Sequence, residues 1–427
     1  MNFSDVHSKI SNYMLADGMS PVIDLEKSHG SWLVDGKTGD EYLDLFSMFA
    51  SLSVGYNHPY VLDNKNRLLE SAINKPTNSD IYSIAMAEFV DTMGRLAQPD
   101  YLPYSFYISG GSLAVENALK VAFDWKVRKN LEKGNGELGS KVLHFEKCFH
   151  GRSGYTMSLT DSPDPRKVKY FPKFNWPRVS TPNIVFPLNK DRLEDLVLRE
   201  NKSLEEIKSA IKNNPHDIAS IIIEPIQGEG GDNHFRYEFL SQVKNLCLEN
   251  DILLIFDEVQ TGAGITGKMW AHQHFCEISC SLNCSTHCKN IEPDIISFGK
   301  KTQCCGIFAG NRINEVEDNV FKESSRINST WGGNLVDMVR FTIYLEIIEK
   351  ENLVNHAKTT GEYLLKQLES LQEDYPEMIS NARGRGLFCA FDLPNSVIRD
   401  ELSNALMKNK VIVLGSGENS IRFRPHL

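Results

Sequence analysis

Three short apolar runs constrain the fold of this chain more than any other feature: KVLHF at 141–145, IASIIIE at 218–224 and DILLIFDE at 251–258. Each reads as a strand. Residues 240–249 and the long stretch 337–371 instead place apolar side chains three and four apart, the spacing of amphipathic helices. Strand-like runs alternating with helical patterns predict an α/β fold, a mostly parallel sheet covered by helices. Near the start, GSWLVDGKTGDEYLDLFS at 30–47 predicts a hairpin that turns at Asp35-Gly36 and Thr38-Gly39-Asp40. No internal repeat and no Gly-, Ser- or Pro-rich linker divides the chain, so a small lobe containing the first sixty residues is expected to interleave with the large one.

A length of 427 residues exceeds one ordinary domain and suits one large core with a smaller lobe. An apolar fraction of 41% with 24% charged residues excludes disordered and low-complexity classes. The balance of 46 Lys+Arg against 56 Asp+Glu gives −10, and no basic block is present, which argues against a nucleic-acid partner. No apolar run is long enough to span a bilayer, and MNFSDVHSKISNYML lacks a signal architecture. The expectation is a cytoplasmic protein whose nine cysteines stay reduced.

Asp257 closes the run LLIFDE, and ligands of open α/β sheets bind at the C-terminal ends of strands. Taken alone, such an Asp is more often a cap or turn residue. The lysine pair Lys300 and Lys301 of PDIISFGKKTQ follows some forty residues later, where a solvated face is the plainer reading. In SGGSLAVENALKVAFDWK, two glycines and Ser112 precede a helix-forming run. A helix start offers free N–H groups and a positive dipole end to a phosphate, although Ser112 as an ordinary N-cap reads equally well. CFHGRSG sets Phe149, His150 and Arg152 just after a strand, an aromatic face with a guanidinium, or simply core.

Together these motifs resemble the class III (ornithine-type) aminotransferases, from GYNHP at 55–59 to IRFRP at 421–425. Within that family DLFSMFAS, EPIQGEGGDNHFR, FDEVQTG, FGKKTQ and INSTWGGN resemble the lysine-directed members. The resemblance implies the type I fold of pyridoxal-phosphate enzymes. It places residues 61–325 in a large cofactor-binding domain, and 1–60 with 326–427 in a small α+β domain made from both chain ends. It implies Lys300, not Lys301, as the Schiff-base lysine and proton shuttle, and Asp257 as the partner of the pyridine nitrogen. Gly111 and Ser112 are implied as phosphate cradle, Phe149 and Val259 as the two faces of the ring site, and Gln260 as a neighbour of the ring oxygen. Thr330 would reach the phosphate of a second subunit, making a homodimer, with Asn328 and Ser329 as supports. Arg152 would hold the remote carboxylate of the substrate. Arg422 would fork the α-carboxylate of glutamate, and Glu229 would neutralise Arg422 when an amine-ended substrate binds. The implied reaction converts L-lysine and 2-oxoglutarate to 2-aminoadipate 6-semialdehyde and L-glutamate.

Three departures stand out. Between Trp270 and Pro293 lies an insertion carrying Cys276, Cys280, Cys284 and Cys288 with His272, His274 and His287. Without paired C-x-x-C it reads as a cysteine-rich loop, and no metal is assigned. The chain stops at Leu427, short of a further strand and helix, so a looser hold on Arg422 is expected. Cys304 and Cys305 stand where many family members have glycines. Another ω-aminotransferase, acting on ornithine or 4-aminobutyrate, and an inactive dimeric scaffold are the competing readings.

Overall fold

The structure, a computed structural model, describes residues 1–275 and 291–427. After a short helical segment at residues 3–11 comes the expected hairpin, β1 (Trp32–Val34) antiparallel to β2 (Glu41–Asp44), closed where the Gly39 N–H donates to the Asp35 carbonyl at 2.7 Å. A second feature of this region carries no sequence signal. Ser47, Met48, Phe49 and Ala50 all have positive φ, from 46° to 64°, a full left-handed turn without glycine. Such backbone costs about 1–2 kcal/mol per residue, so the surroundings must hold it. Asp44 does so from one side, its Oδ1 accepting from the N–H groups of Phe46 at 2.9 Å and Ser47 at 2.7 Å.

Seven further strands, β3 (Tyr104–Ile108), β4 (Lys141–Phe145), β5 (Arg178–Val179), β6 (Ile218–Ile223), β7 (Leu253–Asp257), β8 (Ile295–Phe298) and β9 (Cys305–Ala309), form one sheet. Its order is β3-β9-β8-β7-β6-β4-β5, and only β9 runs antiparallel to its neighbours. Every residue of β6 and β7 is buried. Alternation sends Leu254 and Phe256 into one core and Leu253 and Ile255 into another, so both faces are dry, as a parallel sheet requires. Among the covering helices are α1 (Gly111–Glu132), α2 (Tyr237–Glu249), α3 (Leu335–Lys350) and α4 (Leu353–Asp374). The last two resolve the predicted helical stretch 337–371 into a pair broken at Asn352, which has φ 52°.

The C-terminal part builds β10 (Ser380–Arg385), β11 (Phe388–Asp392), α5 (Ser396–Lys408), β12 (Val411–Ile412), β13 (Leu414–Ser416) and β14 (Ser420–Phe423). Strand β12 pairs in parallel with β2, so the two chain ends share a sheet. Arg422 lies on β14 between Ala390 of β11 and Leu414 of β13 and is only 6% exposed. Two flanking strands therefore fix its backbone.

Lys301 joins these parts. Its side chain is buried, and Nζ donates to the carbonyls of Leu52 at 2.8 Å and Pro425 at 3.1 Å. Burial pushes its ammonium down to about 7, with Arg424 adding to the effect and Asp44 opposing it. The neutral amine still has two N–H donors for two carbonyls. An unfolded lysine keeps its proton to about pH 10.4, so this group's contribution to stability rises as pH climbs from about 7 to about 10. Lys301→Met is expected to lose about 1–3 kcal/mol, from carbonyls left without a donor. It should also flatten that rise, as read from urea unfolding at pH 7 and pH 9.

Candidate active site

The parallel strands bring their C-terminal ends to one edge, and the chemistry collects there. Asp257 ends β7 opposite Ser297 of β8, and Lys300 follows two residues after β8. The loop after β4 delivers Phe149 and His150, β6 is followed by Glu224, and β3 leads through Gly110 into α1.

Asp257 is buried and fully engaged. Its Oδ2 lies 2.7 Å from His150 Nδ1, and its Oδ1 accepts from the Val259 N–H at 3.0 Å and the Ser297 hydroxyl at 3.2 Å. Burial works against a charge on His150, but nearby Cys148 and the Asp257 hydrogen bond hold its pKa well above the ordinary value. Glu224 sits behind this pair, accepting from the Phe149 N–H and the Gly228 N–H, both at 2.9 Å. Burial raises its pKa to about 7; His150 pulls it down and Asp257 pushes it up.

Lys300 has a left-handed backbone, φ 53°, and its Nζ makes no hydrogen bond among the described residues. Burial lowers its pKa, Asp257 counteracts, and Arg422 lowers it further. A depressed ammonium is what an amine nucleophile needs near neutral pH. Lys301, by contrast, is committed to backbone carbonyls.

Helix α1 begins at Gly111 with Gly110 as its N-cap, so Ser112 lies inside the first turn and is not the cap. The first intrahelical bond there runs from the Ala114 N–H to the Gly110 carbonyl, leaving the amides of Gly111, Ser112 and Leu113 ahead of it. The Ser112 hydroxyl instead meets the Thr156 hydroxyl at 2.7 Å and that of Ser153. A Cβ on Gly111 would stand 2.9 Å from Val259 Cγ1, so glycine is required for this close approach.

Arg422 is buried, and that burial pushes its pKa down to about 10, with Arg424 adding to the shift and Asp232 and Glu229 opposing it. Its Nη1 donates to Gln260 Oε1 at 3.2 Å, an oxygen that also accepts from Arg424 Nε at 2.9 Å. Arg424 has its own carboxylate, Asp232, at 2.6 Å; Arg422 has no carboxylate partner among the described residues, and its Nε is unsatisfied. Glu229 and Arg422 form no salt bridge with each other among the described residues. Glu229 Oε1 accepts from the Ser162 hydroxyl at 3.0 Å and is salt-bridged to Lys167. Phe49, Lys167, Glu229 and Arg422 line one cavity of about 790 Å³. Arg152, exposed, lines a second of about 510 Å³, to which Lys167 also belongs. Thr330 is exposed, in the turn that leads to α3.

His272 and His274 are both engaged within the protein, His272 Nδ1 with Glu258 at 2.9 Å and His274 Nε2 with the Thr266 carbonyl at 3.0 Å. Cys276, Cys280, Cys284, Cys288 and His287 lie outside the described residues. Cys304 and Cys305 are free and buried, and burial raises both thiols. The sequence motifs give no role to His150, Glu224, Ser297 or Lys167. Only His150 offers a signal, its place beside Phe149 after a strand.

These residues fit pyridoxal phosphate: an anion cradle shaped by Gly111, a carboxylate for a protonated ring nitrogen, and an amine with a depressed pKa. The family model described as Aminotransferase class-III matches residues 13–427. The L-lysine-epsilon aminotransferase of Mycobacterium tuberculosis is 49% identical over 426 residues, covering 99% of this chain and 91% of that protein. Its counterpart from Streptomyces clavuligerus is 46% identical over 433 residues, covering 100% of this chain and 91% of that protein. A solved structure of the lysine aminotransferase from M. tuberculosis in the internal aldimine form matches with a TM-score of 0.94 and 48% identity, covering 100% of this chain and 95% of that one. The match runs through every strand end that builds this centre, and the chain belongs to the class III aminotransferases, enzymes that work with pyridoxal phosphate.

Proposed function

We propose that the enzyme transfers the ε-amino group of L-lysine to 2-oxoglutarate, giving 2-aminoadipate 6-semialdehyde and L-glutamate. The observation that carries this reading is Arg422, a buried guanidinium that lines the larger cavity and has no carboxylate partner among the described residues. An amino acid reacting at its α-carbon brings a carboxylate there, and a substrate reacting at a terminal amine does not. The names of relatives at 46% and 49% identity supply the amine.

Bound pyridoxal phosphate supplies an electron sink for the bond broken at the substrate carbon. Lys300 Nζ takes the proton from that carbon and returns it elsewhere, a role its lowered pKa favours. Asp257, fixed in place by His150, Val259 and Ser297, would partner the ring nitrogen. Phe149 is set by the Glu224 carboxylate through its backbone N–H. Arg152 holds the distant carboxylate of either substrate, and Arg422 forks the near carboxylate of glutamate or 2-oxoglutarate. In this reading the enzyme is a homodimer in which Thr330 of each subunit reaches the phosphate of the other. Exposed Thr330 and the half-exposed Trp331 beside it support that arrangement.

The test is glutamate formation from 2-oxoglutarate with L-lysine as donor, with the cyclised semialdehyde as co-product. Arg422→Gln is expected to raise KM for 2-oxoglutarate about 10- to 100-fold, the loss of a charged hydrogen-bonding pair, while KM for L-lysine moves less. Equal changes in both would remove Arg422 from the role of dicarboxylate fork.

A further inference from the structure

Three residues beyond Asp257, two guanidinium groups converge on one amide oxygen. Gln260 Oε1 accepts from Arg424 Nε at 2.9 Å and from Arg422 Nη1 at 3.2 Å, and Nε2 of the same amide makes no hydrogen bond among the described residues. An amide turned by 180° would set its NH2 against two N–H donors, so the oxygen takes this side and the donor the other. The amide is packed as well as bonded. A Cβ on Gly228 would stand 2.5 Å from Gln260 Oε1 and 2.6 Å from Nε2. Of the two arginines, Arg424 is the fixed one. It is 1% exposed; its Nη2 donates to Asp232 Oδ1 at 2.6 Å, its Nη1 to the Phe423 carbonyl at 2.7 Å, and its guanidinium lies over the Phe388 ring. Asp232 in turn offers its carbonyl to Arg383 Nε at 3.0 Å.

We propose that Arg424 is a positioning residue for the cofactor: anchored by Asp232, it holds the Gln260 amide with its oxygen toward the arginines and its N–H groups toward the ring oxygen of pyridoxal phosphate. The proposal rests on the reading that sets Gln260 beside that oxygen and adds the group that orients it. Arg422 cannot do this alone, because in the proposed function a substrate carboxylate engages it in one half-reaction. All three nitrogens of Arg424 are instead occupied within the protein. An N–H donor stabilises negative charge on the oxygen it faces. The ring oxygen then holds less tightly the proton it shares with the nitrogen that joins Lys300 to the cofactor. The pH at which the bound cofactor changes colour is lowered accordingly.

The test is a pH titration of the cofactor-loaded enzyme, read by absorbance without substrate, so it reports on the amide whichever amine the enzyme uses. Arg424→Met is made together with Asp232→Asn, so that no buried charge loses its partner and the local net charge is unchanged. The midpoint of the colour change is expected to rise by about 0.5–1 pH unit, the weight of one neutral hydrogen bond. Gln260→Ala is expected to give the same rise. Adding the Arg424 and Asp232 changes to Gln260→Ala should then move the midpoint by less than about 0.3 unit, because the arginine acts through the amide. Gln260→Glu keeps an acceptor for both arginines and removes the donor. It is the second variant should the paired one fail to fold, and its midpoint is also expected to rise. An unmoved midpoint in the paired variant, or in Gln260→Glu, overturns the proposal. So does a rise of equal size with and without Gln260, which would make Arg424 an electrostatic neighbour of the cofactor. An unmoved midpoint in Gln260→Ala would instead remove Gln260 from the ring oxygen, and the proposal with it.

Discussion

Lys300→Ala is expected to lower the rate of amino transfer by about 10⁴-fold or more, because in the proposed reading one side chain supplies both the amine that engages the cofactor and the proton carrier. Its neighbour cannot substitute. Lys301 Nζ is held by the carbonyls of Leu52 and Pro425, and the Ser53 hydroxyl binds the Lys301 carbonyl. The measurement is a single-turnover reaction at saturating amine, with the absorbance of the bound cofactor followed in parallel. Both the rate and the cofactor band should change in Lys300→Ala, whereas Lys301→Met should show its main effect on stability. A residual rate within tenfold of wild type would move the reactive amine elsewhere.

The second large effect is expected at Asp257. Asp257→Asn preserves shape, and an oxygen can still accept from the Val259 N–H and the Ser297 hydroxyl. What it removes is the carboxylate that faces His150 and that, in the proposed function, supports protonation at the ring nitrogen. A loss of about 10²–10³ in the rate of the half-reaction is expected, the range for deleting one preorganised electrostatic partner. Binding of the cofactor should weaken far less, since the cradle at Gly111 and the amine of Lys300 remain. A variant that loses cofactor but reacts normally when saturated with it would show Asp257 to be a binding group only.

The frame of this enzyme is legible in its sequence because the strongest signals are local. The runs at 141–145, 218–224 and 251–258 are strands β4, β6 and β7, and Asp257 and Lys300 sit at strand ends where their motifs place them. What the sequence hides is non-local. His150 and Asp257 are 107 residues apart, and nothing in either motif announces the hydrogen bond between them. The motifs set Glu229 against Arg422, but its choice of Lys167 depends on a turn 62 residues upstream. The left-handed run at Ser47–Ala50 contains no glycine or asparagine, the residues that mark such backbone, and Asp44 holds its start through the N–H groups of Phe46 and Ser47. Ser112 reads two ways in sequence, and the extra glycine before it moves the cap to Gly110.

The most direct test of the central claim is a spectrophotometric half-reaction. L-lysine is added to the protein loaded with pyridoxal phosphate, with ornithine and 4-aminobutyrate run in parallel, and conversion of the cofactor to its amine form is followed by absorbance. Rapid conversion is expected with L-lysine, and slow or no conversion with the other two. Faster conversion with ornithine or 4-aminobutyrate, or an unchanged spectrum with all three, would contradict the claim.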